Sequence, residues 1–121
     1  MRTVLVVEDS QTDRNQMTTY LQEAGMTVVS VGSGEEALSW LKNQTPDVIL
    51  LDVILPGQSG FEVCREIKQN GSTSRNIPVV MCSTKTTNVD KTWGTMLGAN
   101  AYLDKPVDKA ELVNTLQRLT A

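Results

Sequence analysis

Side chains able to support phosphoryl chemistry follow short apolar runs at four places in the sequence. They are, in chain order, Glu8-Asp9, Asp52, Ser83-Thr84 and Lys105. Carboxylates are hard oxygen ligands for a divalent cation, and a carboxylate can also accept a phosphoryl group as an aspartyl phosphate. A hydroxyl and an ammonium group can stabilise the charge on the phosphoryl oxygens. These residue types therefore indicate cation-assisted phosphoryl chemistry if the fold brings them together.

The apolar runs have the length and composition of buried strands in a parallel sheet, because helix-length amphipathic stretches separate them. The five expected strands cover 4–7, 27–31, 47–52, 77–82 and 101–103. Their alternation with five helices predicts a doubly wound α/β fold, for which we expect the flavodoxin-like strand order 2-1-3-4-5. Ligand sites of such sheets lie beyond the carboxyl ends of the strands, so the four chemical positions should meet at one edge.

Capping and turn residues indicate where the helices begin and end. Ser10, Ser33 and Asp108 are typical N-cap residues, and each precedes a stretch of helix length. The stretch 86–97 is predicted to be a helix of low intrinsic propensity, because it is rich in threonine and contains a glycine. Such a helix suits an element that must move at little cost. The polar, turn-rich stretch 70–76 predicts a loop.

Length and composition favour one globular domain over residues 1–121. The net charge of −3 and the isoelectric point near 4.8 argue against a nucleic-acid partner, which requires a basic face. No apolar stretch approaches the ~20 residues of a membrane span and no signal peptide is evident, so we expect a cytoplasmic protein without membrane contact. Cys64 and Cys82 lie in apolar contexts and are expected to be core residues rather than a disulfide.

The carboxylates of Glu8, Asp9 and Asp52 are the expected ligands of the cation. Acidic side chains held together repel one another, and a divalent cation relieves that repulsion. The chain contains no histidine, and we expect no thiolate at this edge. Oxygen ligands alone favour Mg²⁺, with Mn²⁺ as the second choice.

Each position also has an ordinary structural interpretation when it is taken alone. A strand-end acid is often a solvated turn residue or a helix cap, and hydroxyl residues such as Ser83 often begin loops. Lys105 is more informative, because it follows an apolar strand where a cation needs a partner. A flavodoxin-like cofactor binder would need a glycine- and hydroxyl-rich loop where Glu8-Asp9 stands. An aspartate-nucleophile phosphatase would usually carry a second acid where Ile54 stands.

The motif residues together resemble the receiver domain of two-component response regulators, of the single-domain chemotaxis type. The matching segments cover the whole chain: Val6-Val7-Glu8-Asp9, Leu50-Leu51-Asp52 with Pro56 and Gly60, Ser83-Thr84, and Tyr102-Leu103-Asp104-Lys105-Pro106. A weaker resemblance is to the receivers of twitching-motility and pilus-type chemosensory systems. It rests on Val6-Val7-Glu8-Asp9-Ser10 and on Trp93-Gly94 before Gly98-Ala99.

The resemblance implies that Asp52 accepts a phosphoryl group from a phosphohistidine of a partner histidine kinase. A chain without histidine cannot supply that donor itself. The resemblance further implies that Asp9, Asp52 and the backbone carbonyl of Ile54 ligate Mg²⁺, while Glu8 acts mainly through water. Such a domain assists its own phosphorylation and dephosphorylation but is a signalling domain rather than an enzyme.

The remaining roles that the resemblance implies concern the switch. Ser83, with Thr84 beside it, is the switch hydroxyl, Tyr102 is the aromatic switch residue, and Lys105 pairs with the phosphoryl group. The Lys105-Pro106 bond is expected to be cis. Phosphorylation is expected to draw Ser83 toward the phosphoryl group and to let Tyr102 turn inward.

Two residues depart from the usual pattern of the family. Glu8 stands where aspartate is commoner, and its longer arm should still reach a metal-bound water. Thr84 stands where a small residue is usual, and it is expected to narrow access to the phosphoryl group. We expect a monomer or weak dimer that contacts a downstream effector through the 86–119 face. A phosphate sink and a phosphorylation-independent interaction module stay open as alternatives.

Overall fold

The computed structural model describes residues 2–69 and 73–121, in which strands and helices alternate. The strands are β1 (Thr3–Val7), β2 (Thr27–Val31), β3 (Val48–Asp52), β4 (Val79–Ser83) and β5 (Ala101–Asp104). The helices are α1 (Gln11–Glu23), α2 (Gly34–Leu41), α3 (Gly60–Gln69), α4 (Asn88–Met96) and α5 (Lys109–Leu119). These elements confirm the predicted alternation of strand and helix.

Within the described ranges, the strands form one parallel sheet in the order β2-β1-β3-β4-β5. The predicted strand order is therefore confirmed. Every residue of β3 and β4 is buried, whereas β2 and β5 form the two partly exposed edges. Among the helices of these ranges, none is both long and apolar enough to cross a membrane.

Side chains of the interior strands alternate between the two faces of the sheet, so the sheet divides the core in two. One half packs α1 and α5 against the sheet and contains Val6, Leu21 and Leu116. The other half packs α2 and α3 against the opposite face and contains Leu5 and Ile67. Complete burial of such a side chain contributes about 1.5–3 kcal/mol. The strand ends that carry the chemical residues are thus anchored in a well-packed core.

The three N-cap residues predicted from the sequence cap their helices in the structure. The side chains of Ser10, Ser33 and Asp108 each accept a hydrogen bond from the backbone N–H three residues later, as predicted. Helix α4 is better capped than its propensity suggests, because Thr87 and Asp90 form a reciprocal capping box. The helix therefore begins after Thr87, two residues later than predicted, and ends one residue earlier. A cap of this kind contributes about 1 kcal/mol.

Two strands begin later than their predicted bounds. Asp47 lies just before β3, where its carboxylate accepts a hydrogen bond from the backbone N–H of Thr3 at 2.7 Å. Strand β4 begins at Val79 because Pro78 has no backbone N–H to donate to the ladder. The same strand continues through Ser83, one residue beyond its predicted end.

The predicted loop over 70–76 is only partly a loop. Thr73–Asn76 form a short 3-10 helix, which corrects the prediction for these residues. The hydroxyl of Ser74 donates to the carbonyl of Ile67 at 3.1 Å and ties this turn to the end of α3. The first part of the predicted loop, 70–72, lies outside the described residues.

Both cysteines are buried and unpaired, which confirms their prediction as core residues. The Sγ of Cys64 donates weakly to the carbonyl of Leu97 at 3.6 Å. Burial raises the pKa of Cys64 to about 11 and that of Cys82 to about 12. Both side chains therefore remain neutral thiols near neutral pH.

Candidate functional site

The carboxyl ends of β1, β3, β4 and β5 bring the four chemical positions together. Glu8 follows β1 directly, and Asp52 is the last residue of β3, the strand that pairs with β1. Ser83 ends β4, and Lys105 follows β5, where Ser83 pairs with Asp104. The convergence predicted from the strand ends is thus present in the structure.

Three carboxylates lie at this edge. One oxygen each from Glu8, Asp9 and Asp52 lies within 4.8 Å of the other two. Glu8 and Asp52 are buried, at 1% and 6% exposure, while Asp9 is exposed. Oxygens on opposite sides of a Mg²⁺ ion are about 4.2 Å apart, so two of the three can bind directly while waters complete the octahedron. The donor set and its spacing fit Mg²⁺.

The ammonium group of Lys105 lies in the middle of the acidic cluster. Its Nζ donates to Glu8 Oε1 at 2.5 Å, to Asp13 Oδ2 at 2.9 Å and to Asp52 Oδ2 at 3.1 Å. Its side chain is only 11% exposed. All three ammonium hydrogens therefore have carboxylate partners, and the positive charge holds together groups that would otherwise repel one another.

Asp13 is a site residue that the sequence argument missed. It lies in the first turn of α1, and its backbone N–H donates to the Ser10 side chain at 3.3 Å. The N–H of Ser10 in turn donates to Glu8 Oε2 at 3.1 Å, so the start of α1 is joined to the acidic cluster. The only sequence signal for Asp13 is its position three residues after an N-cap, which by itself indicates helix capping rather than a site.

Burial and charge shift the ionisation of the central pair. Burial alone would lower the pKa of Lys105, but its hydrogen bonds to three carboxylates outweigh burial and raise it. Burial raises the pKa of Glu8, and the negative charge of Asp52 adds to that rise against the opposing effect of Lys105. Lys105 therefore carries a positive charge near neutral pH. The site as a whole still carries an excess of negative charge that a divalent cation would relieve.

The carboxylate of Asp52 is held in a defined plane. Its Oδ1 accepts a hydrogen bond from the backbone N–H of Ile54 at 3.1 Å, and Oδ2 accepts from Lys105. Gly60 allows the start of α3 to pack against the backbone of Asp52, because a Cβ at Gly60 would lie 2.1 Å from the Asp52 carbonyl oxygen. The side chain of Ile54 is 53% exposed, whereas its N–H points back at Asp52. The role of the Ile54 carbonyl as a metal ligand stays a prediction.

The predicted switch residues meet at the backbone of Lys85. The buried hydroxyl oxygen of Ser83 accepts a hydrogen bond from the N–H of Lys85 at 3.2 Å. The hydroxyl of Tyr102 donates to the carbonyl of the same residue. Thr84, which lies between Ser83 and Lys85 in the sequence, is exposed. A displacement of Ser83 would therefore reach Tyr102 through the backbone of Lys85, which both side chains contact.

Tyr102 is half-buried and packs against α4 and the core. A Cβ at Gly94 would lie 3.0 Å from the sulfur of Met81 and 3.2 Å from the Tyr102 ring, so the glycine leaves room for that ring. Burial, with a contribution from the negative charge of Asp90, raises the pKa of Tyr102 to about 12. The ring is thus held against α4, and its role as the switch residue stays a prediction.

The peptide bond between Lys105 and Pro106, directly after β5, is cis, as the resemblance implies.

Three apolar side chains of α4 are exposed to solvent. Trp93 is 44% exposed and lies beside Val89 and Met96, which are 77% and 71% exposed. Spacings of four and three residues place these side chains on one face of the helix, which is an exposed apolar strip.

Comparison with known proteins agrees with the geometry. A family model described as the response regulator receiver domain matches residues 4–117. The chain is 36% identical to the protein PilH of Pseudomonas aeruginosa over 121 residues, which is 100% of this chain and 99% of PilH.

Two solved structures are similar over nearly their whole length. The chemotaxis response regulator CheY4 of Vibrio cholerae is 35% identical with a TM-score of 0.91, and the match covers 98% of each chain. The receiver domain of the sensor histidine kinase PA1611 from P. aeruginosa is 30% identical with a TM-score of 0.90, over 98% of this chain and 97% of that one. That receiver domain holds a magnesium ion in its active-site cleft.

Proposed function

Because this chain belongs to the response regulator receiver family, we propose that Asp52 accepts a phosphoryl group from a histidine kinase in a Mg²⁺-dependent reaction. Membership of the family implies a phosphodonor kinase and an effector in general terms. The observation that carries the assignment to Asp52 is its position. It is a buried carboxylate at a strand end, held by Lys105 on one oxygen and by the Ile54 N–H on the other.

The proposed transfer uses Asp52 as the nucleophile. One carboxylate oxygen forms a bond to phosphorus as the bond from phosphorus to the donor imidazole nitrogen breaks, and the electron pair of that bond returns to the imidazole. Lys105 pairs with the phosphoryl oxygens, and the Ser83 hydroxyl donates to one of them. Asp9 and Asp52 would hold Mg²⁺, with Glu8 acting through a bound water, and the ion would supply positive charge beside the same oxygens. The protein thus contributes orientation and charge rather than a proton-transfer group.

We propose a population shift as the switching mechanism. In the unphosphorylated chain the Tyr102 ring already packs against α4 and its hydroxyl binds the Lys85 carbonyl, so we expect phosphorylation to stabilise this arrangement instead of creating it. Movement of Ser83 toward the phosphoryl group would release the N–H of Lys85 and rearrange the segment before α4. Thr84 follows Ser83 and is exposed, and its side chain is proposed to limit the approach of water and of the phosphodonor to Asp52.

The proposed partner surface is the 86–119 face, which includes the exposed apolar strip on α4. Val89, Trp93 and Met96 lie on this strip, and the segment before α4 connects them to Ser83. An exposed apolar strip of this kind is typical of a protein-binding surface. The negative net charge supports a protein partner rather than nucleic acid. The full-length similarity to PilH supports a role in a chemosensory system of the chemotaxis or pilus type.

Binding of beryllofluoride, a phosphoryl mimic, tests the proposed function. We expect bound fluoride resonances in ¹⁹F NMR with Mg²⁺, and none with EDTA or in Asp52→Asn. In a Trp40→Phe background, Trp93 is the remaining tryptophan, so its fluorescence should report the switch at α4. Bound fluoride without Mg²⁺, or in Asp52→Asn, would contradict the assignment of Asp52. Binding with unchanged Trp93 fluorescence and unchanged α4 resonances would contradict the switch.

A further inference from the structure

The third partner of Lys105 has no part in the proposed transfer. Glu8 and Asp52 belong to the proposed metal and acceptor site, whereas Asp13 comes from α1, where its carboxylate binds the ammonium group and its backbone N–H binds the Ser10 side chain. We propose that Asp13 is a positioning residue that restrains Lys105 and lowers the affinity of the site for a phosphoryl group. This inference rests on the proposed function, because it concerns the same site.

The three carboxylates differ in how easily they can release the ammonium group. The side chains of Glu8 and Asp52 are 1% and 7% exposed, so either would become an unpaired buried charge. The side chain of Asp13 is 41% exposed and can be solvated by water instead. Asp13 also lies in the first turn of α1, where the helix dipole favours a carboxylate without any lysine. Asp13 is therefore the partner that Lys105 can exchange for a phosphoryl oxygen.

The exchange opposes phosphorylation. All three N–H groups of Lys105 are engaged, so a phosphoryl oxygen gains an ammonium hydrogen bond only when a carboxylate loses one. A phosphoryl group on Asp52 also adds negative charge near Asp13, which shares the same ammonium group at 2.9 Å. Removing the charge of Asp13 should thus favour the phosphoryl-bound state.

The size of the effect follows from the exposure of Asp13. Solvent screens a partly exposed ion pair, so the change in beryllofluoride affinity should be modest, about two- to fivefold tighter binding. If Asp13 aimed Lys105 at the phosphoryl group, its removal would weaken beryllofluoride binding. The sign of the change therefore decides between restraint and aiming.

The test is a beryllofluoride titration at saturating Mg²⁺, followed by the bound ¹⁹F signal. Saturating Mg²⁺ separates the effect on the phosphoryl mimic from any effect on the metal. We expect tighter binding in Asp13→Asn and in Asp13→Ser, and wild-type affinity in Asp13→Glu, which restores the carboxylate. Glu23→Gln removes the same charge from the far end of α1 and should not change the affinity. The gain in Asp13→Asn should shrink as salt is added, because it is electrostatic.

The results of this titration distinguish the restraint of Lys105 by Asp13 from the proposed phosphoryl-acceptor function. Unchanged or weaker beryllofluoride binding in Asp13→Asn and Asp13→Ser, while the wild-type protein binds, would overturn the restraint and leave the proposed function standing. Equal gains in Glu23→Gln would also overturn it, since the effect would then be one of net charge. If the wild-type protein bound no beryllofluoride with Mg²⁺, the proposed function would fail and the restraint with it.

Discussion

Replacement of Lys105 by methionine tests whether the ammonium group stabilises the three carboxylates around it. Methionine keeps most of the apolar volume of the lysine stem and removes the ammonium group from Glu8, Asp13 and Asp52. Two of those carboxylates are nearly inaccessible to solvent, so water cannot replace the lost partner. We expect the variant to fold but to be destabilised when Mg²⁺ is absent.

Two limits bracket the loss in the free energy of unfolding. Removing one partner of a buried ion pair typically costs about 3–5 kcal/mol. The variant can reduce that cost by protonating Glu8, whose ordinary pKa is 4.5. At about pH 7 the uptake of this proton costs roughly 1.36 kcal/mol for each of about 2.5 pH units, or about 3.4 kcal/mol. We therefore expect a loss of about 3 kcal/mol near neutral pH.

The same reasoning sets the pH dependence and the effect of the metal. The folded variant would hold a proton that the unfolded chain lacks, so its stability relative to wild type should rise as pH falls. At about pH 5 the proton costs only about 0.7 kcal/mol, and the loss should shrink accordingly. Mg²⁺ supplies positive charge to the same oxygens, so saturating Mg²⁺ should also recover part of the loss at neutral pH.

Urea unfolding followed by tryptophan fluorescence, with EDTA or with Mg²⁺ at both pH values, measures these differences. Lys109→Met is the matched control, because Lys109 pairs with Glu23 on the surface and both side chains are about half exposed. This control should lose less than about 1 kcal/mol and should respond to neither pH nor Mg²⁺. If Lys105→Met were as stable as Lys109→Met near neutral pH without Mg²⁺, or lost more stability at lower pH, the reasoning would be refuted.

Three further predictions concern the core and the switch. Cys64 and Cys82 should resist alkylation near neutral pH in the folded protein and react in denaturant, as mass spectrometry would show; rapid labelling of the native protein would contradict their raised pKa values. Gly94→Ala should lower stability in urea unfolding instead of giving the usual gain of about 1 kcal/mol, because the added Cβ meets the Tyr102 ring at 3.2 Å; a gain would mean that the ring moves freely. Absorbance titration should show a tyrosine ionising near pH 12 that is lost in Tyr102→Phe; an unchanged titration curve in that variant would show that Tyr102 is not the buried group.

Much of the fold follows from local patterns in the sequence. Apolar runs such as Val4–Val7 cannot be solvated on either face, so their alternation with amphipathic stretches leaves few arrangements besides a covered parallel sheet. The carboxyl-end rule then places Asp52, Ser83 and Lys105 at one edge, and the structure does bring them together. These residues were predictable because strand ends in a parallel sheet meet whatever the details of helix packing.

Features that depend on the orientation of a helix were not predictable in this way. Asp13 reaches Lys105 only because α1 packs at a particular rotation against the sheet, a property of the core and not of the residues around Asp13. The packing of the Tyr102 ring against α4 likewise depends on the space left by Gly94. By contrast, the capping box of Thr87 and Asp90 was visible in the sequence, and the low propensity of the helix concealed it.

The most direct test of the central claim is the covalent state of Asp52 after incubation with acetyl phosphate. Intact-protein and peptide mass spectrometry should show one added phosphoryl group, on the peptide that contains Asp52, when Mg²⁺ is present. EDTA should abolish the addition, and Asp52→Asn should not acquire it. The account would be contradicted by a phosphoryl group on another residue, by an addition that survives in Asp52→Asn, or by no addition to the wild-type protein with Mg²⁺.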